Sequence, residues 1–337
     1  MHERGNVMVF LEHRNGEPAD VSLELVCKAR ELASTLKVGA EAVAIGSGNA
    51  YDHEALGRFG CNRVFAVEHP GLAQFTSVPY AKVLTQLITE YEPQIVLFGA
   101  TTTGRDLAPR VASELQCGLT ADCTDLQIGE HKVKRQVYEN VLLQIRPAFG
   151  GNIVATIVSP ESRPSMATVR EGVMSKQILD VWGPAQLIEK QVSLSEVDFP
   201  TQVLEVVHKE KSVDLKKAKI IVSAGIGAAD PQALEAVYEL AKTLGGDVGA
   251  SRPVVDAGIV PKEHQVGQTG TTVRPNLYIA CGISGQIQHR AGMMESKRII
   301  AINSDPQAPI FDIAHYGIVG DVKQVIAHMI KAYKDKD

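Results

Sequence analysis

Aromatic side chains are scarce in this chain of 337 residues. Phenylalanine, tryptophan and tyrosine together make up 5% of it, and Trp182 is the single tryptophan. Proteins that bind single-stranded nucleic acid stack the bases on such rings inside a basic groove. An excess of basic residues is also lacking, because 34 Lys and Arg stand against 39 Asp and Glu and give a net charge of −5. The composition therefore gives no support for nucleic acid or an anionic membrane surface as a partner.

Cysteine pairs at metal-binding or redox spacing are missing as well. The five cysteines form no C-x-x-C pair and are scattered through apolar segments. This usage is typical of reduced thiols in the cytoplasm, and we predict neither a disulfide framework nor a metal site. We see no leader segment and no apolar run long enough to cross a bilayer, and we expect a cytoplasmic protein without membrane insertion.

The first half of the chain alternates between apolar runs and amphipathic segments. Strand-like runs occupy residues 7–11, 42–46, 64–67 and 95–100, with helical patterns between them. Such alternation is typical of a parallel sheet covered by helices on both faces. Between residues 122 and 170 the pattern changes to short extended runs, which predict an antiparallel extension. We therefore expect an N-terminal α/β domain with a doubly wound, mostly parallel sheet and an antiparallel extension.

A polar segment, residues 206–219, separates this pattern from a second one. Residues 219–227 form a new strand that ends in glycines. Asp230-Pro231 then begin a helix, since an acceptor side chain followed by proline is a typical helix start. We predict two domains, residues 1–207 and 208–337, the second with a Rossmann-like βαβ pattern.

The second domain is organised around residues 277–303, which read as a strand, a glycine turn, a short polar helix and a parallel strand. Gly282 and Gly285 allow the backbone to approach a ligand closely, and the start of a helix favours a phosphate. Hydrogen-bond donors follow the turn at Ser284, Gln286, Gln288, His289 and Arg290. From the residues alone, a phosphate site and a plain tight connection explain this turn equally well.

The same stretch carries a resemblance. CGISGQIQHRAGM (281–293), followed by IIAINSDPQAPIFDIAHYGIVGD (299–321), resembles the FAD-binding signature of the alpha subunit of electron transfer flavoproteins. GASRPVVDAG (249–258) and QVGQTG (265–270) extend the match upstream. The resemblance implies a C-terminal Rossmann-like FAD-binding domain and an N-terminal domain that contacts a beta subunit in a heterodimer. It implies an electron carrier with FAD as cofactor and no catalytic side chain, counted as an oxidoreductase only within a bifurcating complex.

The resemblance also implies which residues contact FAD. Arg252 is expected beside the isoalloxazine ring, where a fixed cation raises the flavin potential, although a surface ion pair is the alternative. The Thr269 hydroxyl is expected to reach N5, and His289 the O2 side, although a lone histidine there could be a capping or core residue. Ser284 to Gln288 are expected at the phosphates and ribityl chain, and Asn303 and Asp321 at the adenosine end. The full expected set is Ser251, Arg252, Val266, Gly267, Gln268, Thr269, Ser284, Gly285, Gln286, Ile287, Gln288, His289, Asn303, Asp321 and Val322.

Two positions depart from the family pattern. Ile226 stands where many members have an arginine in the preceding glycine turn, which puts one phosphate contact in doubt. His315 replaces an acidic residue, and we expect that change to be peripheral.

Two segments of the first domain, RPAFGGN (146–152) and RPSMATVREGVM (163–174), resemble NADH-linked, flavin-bifurcating members. Ion pairs of Arg146 and Arg163 on a sheet surface are the alternative. A bifurcating role implies an acyl-CoA dehydrogenase-type flavoprotein as partner and ferredoxin or flavodoxin as a further acceptor. A simple, non-bifurcating electron carrier is the other reading within the family.

Functions outside the family also stay open at this point. The hydroxyl-rich turn at residues 101–106 follows a strand, at the edge where open α/β sheets bind ligands, and would suit a non-redox nucleotide-binding module. Its alternative is a threonine N-cap with Arg105 and Asp106 paired on the surface, whereas the resemblance places this turn opposite the beta-subunit nucleotide. An NAD-dependent enzyme on a related fold would need an acid–base pair, which we do not find.

Overall fold

The structure is a computed structural model, and it describes residues 5–14, 16–48, 53–134, 136–148, 154–180, 183–207 and 213–335. Two compact units follow one another along the chain, Met1–Val206 and Val207–Asp337. Trp182, residues 149–152 of the RPAFGGN segment and residues 208–212 of the predicted boundary lie outside the described residues.

The first unit alternates strands and helices, as its apolar periodicity predicts. Its strands are Val7–Leu11 (β1), His13–Arg14 (β2), Glu17–Pro18 (β3), Ala40–Gly46 (β4), Arg63–Glu68 (β5), Ile95–Gly99 (β6), Leu119–Cys123 (β7), Asp125–Val133 (β8), Gln136–Pro147 (β9), Val154–Ile157 (β10), Ser165–Val169 (β11) and Gln186–Lys190 (β12). Its helices are Asp20–Leu36 (α1), His53–Arg58 (α2), Ser77–Tyr91 (α3) and Thr102–Glu114 (α4).

One large sheet with the strand order β12-β5-β4-β1-β6-β11-β7 forms the centre of this unit, and all its neighbouring pairs are parallel. Alternate residues of β1 show why helices cover both faces. Val7 and Val9 pack in a core with α1, whereas Met8 and Phe10 pack in a second core with α3 and α4. A strand buried on both faces must be apolar on both, and this confirms the doubly wound, parallel arrangement.

The antiparallel strands of the first unit form a separate sheet with the order β10-β9-β8. One extended run differs from the expectation. Ser165–Val169 was predicted with the antiparallel runs, but it lies between β6 and β7 as a parallel strand of the large sheet. All five of its residues are buried, and the small and apolar side chains of SMATV fit a position covered on both faces.

The second unit is a smaller parallel α/β unit. Its strands are Ile220–Ala224 (β13), Asp247–Ala250 (β14), Leu277–Cys281 (β15), Ile299–Asn303 (β16) and Tyr316–Val319 (β17), and its helices are Pro231–Leu244 (α5), Arg252–Asp256 (α6), Ile287–Arg290 (α7) and Val322–Lys334 (α8). Asp230 caps α5 by accepting a hydrogen bond from the Ala233 N–H at 3.1 Å, and Pro231 is its first residue, as predicted. The sheet order is β14-β13-β15-β16-β17, with α5 and α8 packed together in the core on one face.

The order of these strands marks one place on the sheet. From β13 the chain passes to β14 at one edge and then returns to β15 on the other side of β13. Open parallel sheets bind ligands outside the carboxyl ends of their strands at such a reversal. The topology therefore directs attention to the residues that follow β13, β14 and β15.

Across the described ranges, we find no helix with the length and apolar character needed to span a bilayer.

Candidate functional site

A cleft of about 310 Å³ opens at this reversal in the second unit. We call it the switch-point cleft. Its volume is at the lower end of the range for small-molecule sites. The lining comes from the segments after β13, β14 and β15 and from residues 265–269. The lining residues are Ile226, Ser251, Arg252, Pro253, Gln265, Val266, Gly267, Gln268, Thr269, Ile283, Ser284, Gln286, Gln288 and His289.

The glycine turn after β15 forms the floor of the cleft. Gly282 has a φ of +63°, and a Cβ at this position would lie 2.6 Å from the carbonyl carbon of Gly227. The turn therefore packs backbone against backbone on the turn that follows β13. Gly285 has a φ of +88°, and a Cβ there would overlap the backbone of Ile310. Any L side chain at either position would strain the turn. The turn formed by these two glycines places Ser284 on the cleft wall.

The helix after this turn is shorter than the sequence pattern indicates. α7 spans only Ile287–Arg290, so few peptide dipoles align along it. Arg290 turns away from the cleft, because its Nη1 donates to the Pro309 carbonyl at 3.2 Å and lies 3.4 Å from an Asp312 oxygen. A phosphate in this cleft would therefore be bound mainly by the backbone of the glycine turn.

Residues 265–270 cover α7 and form the opposite wall. The Gln268 N–H donates to the Gln288 carbonyl at 2.7 Å and fixes this loop on the helix. The Thr269 hydroxyl accepts from Gln265 Nε2 at 3.0 Å. A hydroxyl that accepts one hydrogen bond keeps its own proton for donation. Thr269, which is exposed on the cleft wall, can thus donate to a ligand.

Arg252 lies at the rim of the cleft, two residues after the end of β14. Ser251 is buried, and its N–H donates to the Ala224 carbonyl at 2.9 Å, which fixes the start of α6. The Arg252 Nε is 3.0 Å from an Asp256 oxygen, and both side chains are more than half exposed. The ion pair considered as an alternative is therefore present. Exposed pairs at this spacing contribute roughly 0.3–0.5 kcal/mol, so an anionic ligand can compete for the guanidinium.

His289 is a buried polar residue of the cleft wall, with 7% of its surface exposed. Its Nε2 lies 3.0 Å from the Tyr278 hydroxyl, whereas Nδ1 is buried without a hydrogen-bond partner among the described residues. Burial lowers the pKa of His289 to about 4, and the Val266 backbone opposes this shift only in part. The ring is therefore neutral at pH 7. An unpartnered buried polar atom costs about 1–3 kcal/mol, which a ligand that supplies the partner would recover.

Asn303 does not line the cleft. Its Nδ2 donates to the Ile283 carbonyl at 2.9 Å, and its Oδ1 accepts from the Asp305 N–H at 3.0 Å. The side chain thus ties the glycine turn to the end of β16. Its amide is used within the protein, and an adenosine contact by this residue stays a prediction.

Asp321 and Val322 also lie outside the cleft lining. Asp321 caps α8, because its Oδ1 accepts from the Gln324 N–H at 3.1 Å. The Val322 side chain is 5% exposed and packs in the core beside α8, so only its backbone could reach a ligand. The Gly320 N–H donates to the Asn303 carbonyl at 3.0 Å, which places these residues beside the end of β16. They therefore lie at the carboxyl ends of the strands, as the cleft does.

The remaining two expected residues, Gly285 and Ile287, shape the cleft without lining it. Gly285 completes the turn, and the half-buried Ile287 is the first residue of α7. The structure thus brings together ten of the fifteen expected positions in one cleft, namely Ser251, Arg252, Val266, Gly267, Gln268, Thr269, Ser284, Gln286, Gln288 and His289.

The two departures from the family pattern have different surroundings. Ile226 is 61% exposed and lines the cleft, so an apolar side chain stands where a ligand would lie. The His315 ring accepts the Ile299 N–H on Nδ1 at 3.1 Å. A carboxylate oxygen could accept the same hydrogen bond, so this replacement retains an acceptor at the start of β16.

Sequence reasoning missed Tyr278 and the lining residues Pro253, Gln265 and Ile283. The one available signal was a tyrosine within the otherwise apolar strand 277–281. A strand pattern does not show which buried side chain its hydroxyl would meet.

In the first unit, the turn at residues 101–106 forms internal contacts. The Thr101 hydroxyl accepts from the Gly104 N–H at 3.0 Å and donates to a Glu12 oxygen at 2.5 Å, so a threonine N-cap is present. Arg105 lies 3.4 Å from Asp122. Burial opposes the ionised form of Asp122, but the two hydrogen bonds from Arg170 hold the pKa of its carboxyl below the usual range.

Comparison with known proteins decides the family. Residues 7–201 match the family described as electron transfer flavoprotein domain, and residues 214–294 match the electron transfer flavoprotein FAD-binding domain. The chain belongs to the electron transfer flavoprotein alpha subunit family. The resemblance seen in the sequence is thereby confirmed, and an NAD-dependent enzyme on a related fold is no longer needed as an explanation.

Three curated relatives illustrate the range of the family. The alpha subunit of Thermoanaerobacterium thermosaccharolyticum is 48% identical over 335 residues, which cover 99% of each chain. The acryloyl-CoA reductase electron transfer subunit beta of Anaerotignum propionicum is 43% identical and covers 98% of this chain and 96% of its own. The LctC subunit of lactate dehydrogenase (NAD(+),ferredoxin) from Acetobacterium woodii is 41% identical and covers 96% and 76%.

The cofactor of this alpha subunit is FAD, and its partner in the heterodimer is a beta subunit. The switch-point cleft fits a flavin, because its wall combines the unpartnered His289 nitrogen, the Thr269 hydroxyl and the exposed Arg252 guanidinium. A flavin presents ring nitrogens, carbonyl oxygens and phosphates to such groups. When bound, it supplies the electron-transfer chemistry that these side chains lack.

Proposed function

We propose that the switch-point cleft of the second unit is the FAD site of this alpha subunit. The observation that carries this proposal is the buried Nδ1 of His289, which has no hydrogen-bond partner among the described residues and belongs to the cleft wall. A flavin carbonyl oxygen would accept a hydrogen bond from this nitrogen. Thr269 would donate at the ring edge, and Arg252 would place a permanent positive charge beside the ring.

The order of the strands supports an orientation for the cofactor. The residues expected at the isoalloxazine ring follow β14 or belong to residues 266–269, and those expected at the phosphates follow β15. Asn303 and Asp321, expected at the adenosine end, follow β16 and β17. An extended dinucleotide would thus run along the carboxyl ends of the strands, from β14 towards β17.

The first unit carries a different role in this proposal. It provides the surface that contacts the beta subunit, and the second unit provides the FAD site. This division follows the matched families, since the FAD-binding domain begins at residue 214, beyond the first unit.

We further propose that the heterodimer serves an NADH-linked, flavin-bifurcating complex. Support comes from relatives whose names link them to NAD(+) with ferredoxin and to acryloyl-CoA reduction, at 41% and 43% identity. An acyl-CoA dehydrogenase-type flavoprotein and ferredoxin or flavodoxin are then the expected partners. A simple carrier is the second candidate, supported by relatives named only as alpha subunits. Five free cysteines support a reducing, cytoplasmic location.

Flavin stoichiometry tests both proposals. The chain is co-expressed with its beta subunit, and the visible spectrum and protein concentration give the number of flavins per heterodimer. A bifurcating role requires a second FAD in the beta subunit and therefore two flavins, whereas a simple carrier holds one. A folded but colourless heterodimer that takes up no added FAD would refute the cleft as a flavin site. Two flavins without NADH-dependent ferredoxin reduction, in the presence of the dehydrogenase and its substrate, would refute bifurcation alone.

A further inference from the structure

We propose that Tyr278 is a positioning residue that holds the neutral imidazole of His289 with its proton on Nδ1, so that a ring N–H is left for the ligand of the cleft. The claim that this N–H serves FAD rests on the proposed function, in which His289 contacts FAD. The claim that Tyr278 fixes the tautomer concerns the protein alone.

The geometry of the pair is set by the sheet. Tyr278 is fully buried on β15, on the sheet face opposite α5 and α8. Its hydroxyl lies 3.0 Å from His289 Nε2, and the two rings are tilted by 59° with centroids 6.1 Å apart. The hydroxyl therefore meets the ring at its nitrogen edge rather than at its face, as a hydrogen bond requires.

Two proton arrangements satisfy this distance. Either the Tyr278 O–H donates to Nε2 and the ring proton is on Nδ1, or Nε2–H donates to the tyrosine oxygen. Burial raises the pKa of the Tyr278 hydroxyl, so it keeps its proton, and burial also keeps His289 neutral. In the second arrangement the tyrosine proton would need another acceptor.

The surroundings of the tyrosine favour the first arrangement. Among the described residues, His289 Nε2 is the group in hydrogen-bonding geometry with the Tyr278 hydroxyl. Burial is the main cause that raises the pKa of Tyr278, and the Ser223 side chain opposes it only in part. The Ser223 hydroxyl is buried without a partner in hydrogen-bonding geometry, and it can rotate to donate to the tyrosine oxygen. The tyrosine proton is then left for His289 Nε2.

The other ring nitrogen agrees with this assignment. The Val266 N–H donates to the Ala250 carbonyl at 2.9 Å, so the Val266 group that acts on the ring is its carbonyl, which can only accept from a ring N–H. Nδ1 nevertheless has no partner in hydrogen-bonding geometry, and Val266 and His289 both line the cleft. The Nδ1 proton therefore lies at the cleft wall and is free for a better acceptor, such as a flavin carbonyl oxygen.

The tautomer is measured directly in the parent protein. The heterodimer is prepared with ¹⁵N-labelled histidine, FAD is removed, and long-range ¹H–¹⁵N spectra distinguish the protonated from the unprotonated ring nitrogen. Comparison with His289→Gln assigns the signals of His289. A proton on Nδ1 at pH 7 is the expected result. A proton on Nε2, or a charged ring, would overturn the proposal without any variant of Tyr278.

The role in binding is tested with Tyr278→Phe, which removes only the hydroxyl. Losing one hydrogen bond that orients a donor should weaken FAD binding by about tenfold, in line with the usual contribution of such a bond. Tyr80→Phe is the matched control, because it removes a buried hydroxyl bonded to the Leu72 carbonyl at 2.9 Å in the first unit. It should bind FAD within about twofold of the parent.

Three outcomes are informative for titration of the flavin-free heterodimers with FAD. A selective loss in Tyr278→Phe, with the ring proton no longer confined to Nδ1, supports the proposal. Equal affinity of Tyr278→Phe and parent, or an equal loss in both tyrosine variants, overturns it. Failure of the parent to bind FAD would instead refute the proposed function, and the NMR result on the parent would still decide the tautomer.

Discussion

The replacement Ile226→Arg probes whether a phosphate lies at the glycine turn after β13. Ile226 is 61% exposed on the cleft lining, in the 3-10 turn Ile226–Ala228, so a longer side chain can be added without displacing the core. The only charged residue of the described lining is Arg252, at the rim, because burial keeps His289 neutral at pH 7. An arginine at position 226 would add a cation to the cleft lining at the turn after β13.

The size of the effect follows from exposure. A charge-assisted hydrogen bond contributes about 1.5–3 kcal/mol, but solvent screens a site that is more than half exposed, and ordering the arginine side chain opposes the gain. We therefore expect FAD binding to tighten by about 1 kcal/mol, roughly fivefold in the dissociation constant. Because exposed charges are screened over about 8 Å at physiological ionic strength, the gain should shrink as salt is added.

The assay is calorimetric titration of the flavin-free heterodimer with FAD at low and high salt. Ile226→Gln is the matched control, since it adds length and a hydrogen-bond donor without charge. Tighter binding by Ile226→Arg alone, with the predicted salt dependence, supports a phosphate at this turn. Unchanged or weaker binding, or an equal gain from the glutamine, would show that no cofactor phosphate lies within reach of position 226.

Three further predictions use other parts of the second unit. Arg252→Ala should lower the reduction potential of the flavin by about 20–40 mV. The shift should be small because the charge is exposed and screened by solvent, and it should be the same at every pH from 6 to 9 because a guanidinium stays protonated throughout. A reductive titration that shows no shift would mean that Arg252 does not lie beside the ring. Burial lowers the pKa of His289 from 6.5 to about 4. Between these pH values the unfolded state therefore binds a proton at this residue and the folded state does not. Stability should therefore fall as the pH drops from about 6.5 to about 4, by roughly 3 kcal/mol from this residue, and urea unfolding of His289→Gln should lack that part of the decrease. Residues 207–337, co-expressed with the beta subunit, should bind one FAD; a folded, flavin-free fragment would show that the first unit contributes to the site.

Much of the fold could be predicted from the sequence because parallel strands buried on both faces are nearly continuous apolar runs. Residues 7–11, 42–46 and 95–100 illustrate this, and each lies in the large sheet. Ser165–Val169 could not be placed, since its strand neighbours β6 and β7 end more than forty residues earlier. A local pattern gives the strand but not its partners.

In the cleft, too, local backbone requirements could be predicted from the sequence, whereas contacts between distant segments could not. Gly282 and Gly285 mark a turn because only glycine tolerates their φ angles beside another backbone, and that requirement is visible in the sequence. The length of α7 was not predictable from its polar residues, since it depends on how residues 265–270 and Pro309–Ile313 pack around it. The contact between Tyr278 and His289 joins a strand to a helix across the core, and no spacing rule encodes it.

The two polar groups expected at the flavin ring, Arg252 and His289, differ in the kind of interaction that they contribute. Arg252 is exposed and permanently charged, so its effect on the flavin depends on ionic strength and not on pH. His289 is buried and neutral at pH 7, so it contributes a directed hydrogen bond that salt does not screen and that depends on the orientation of the ring. Because Tyr278 fixes that orientation, its removal should change FAD affinity at low and high salt alike. Removal of Arg252 should matter mainly at low salt, which makes the two contributions separable in one set of titrations.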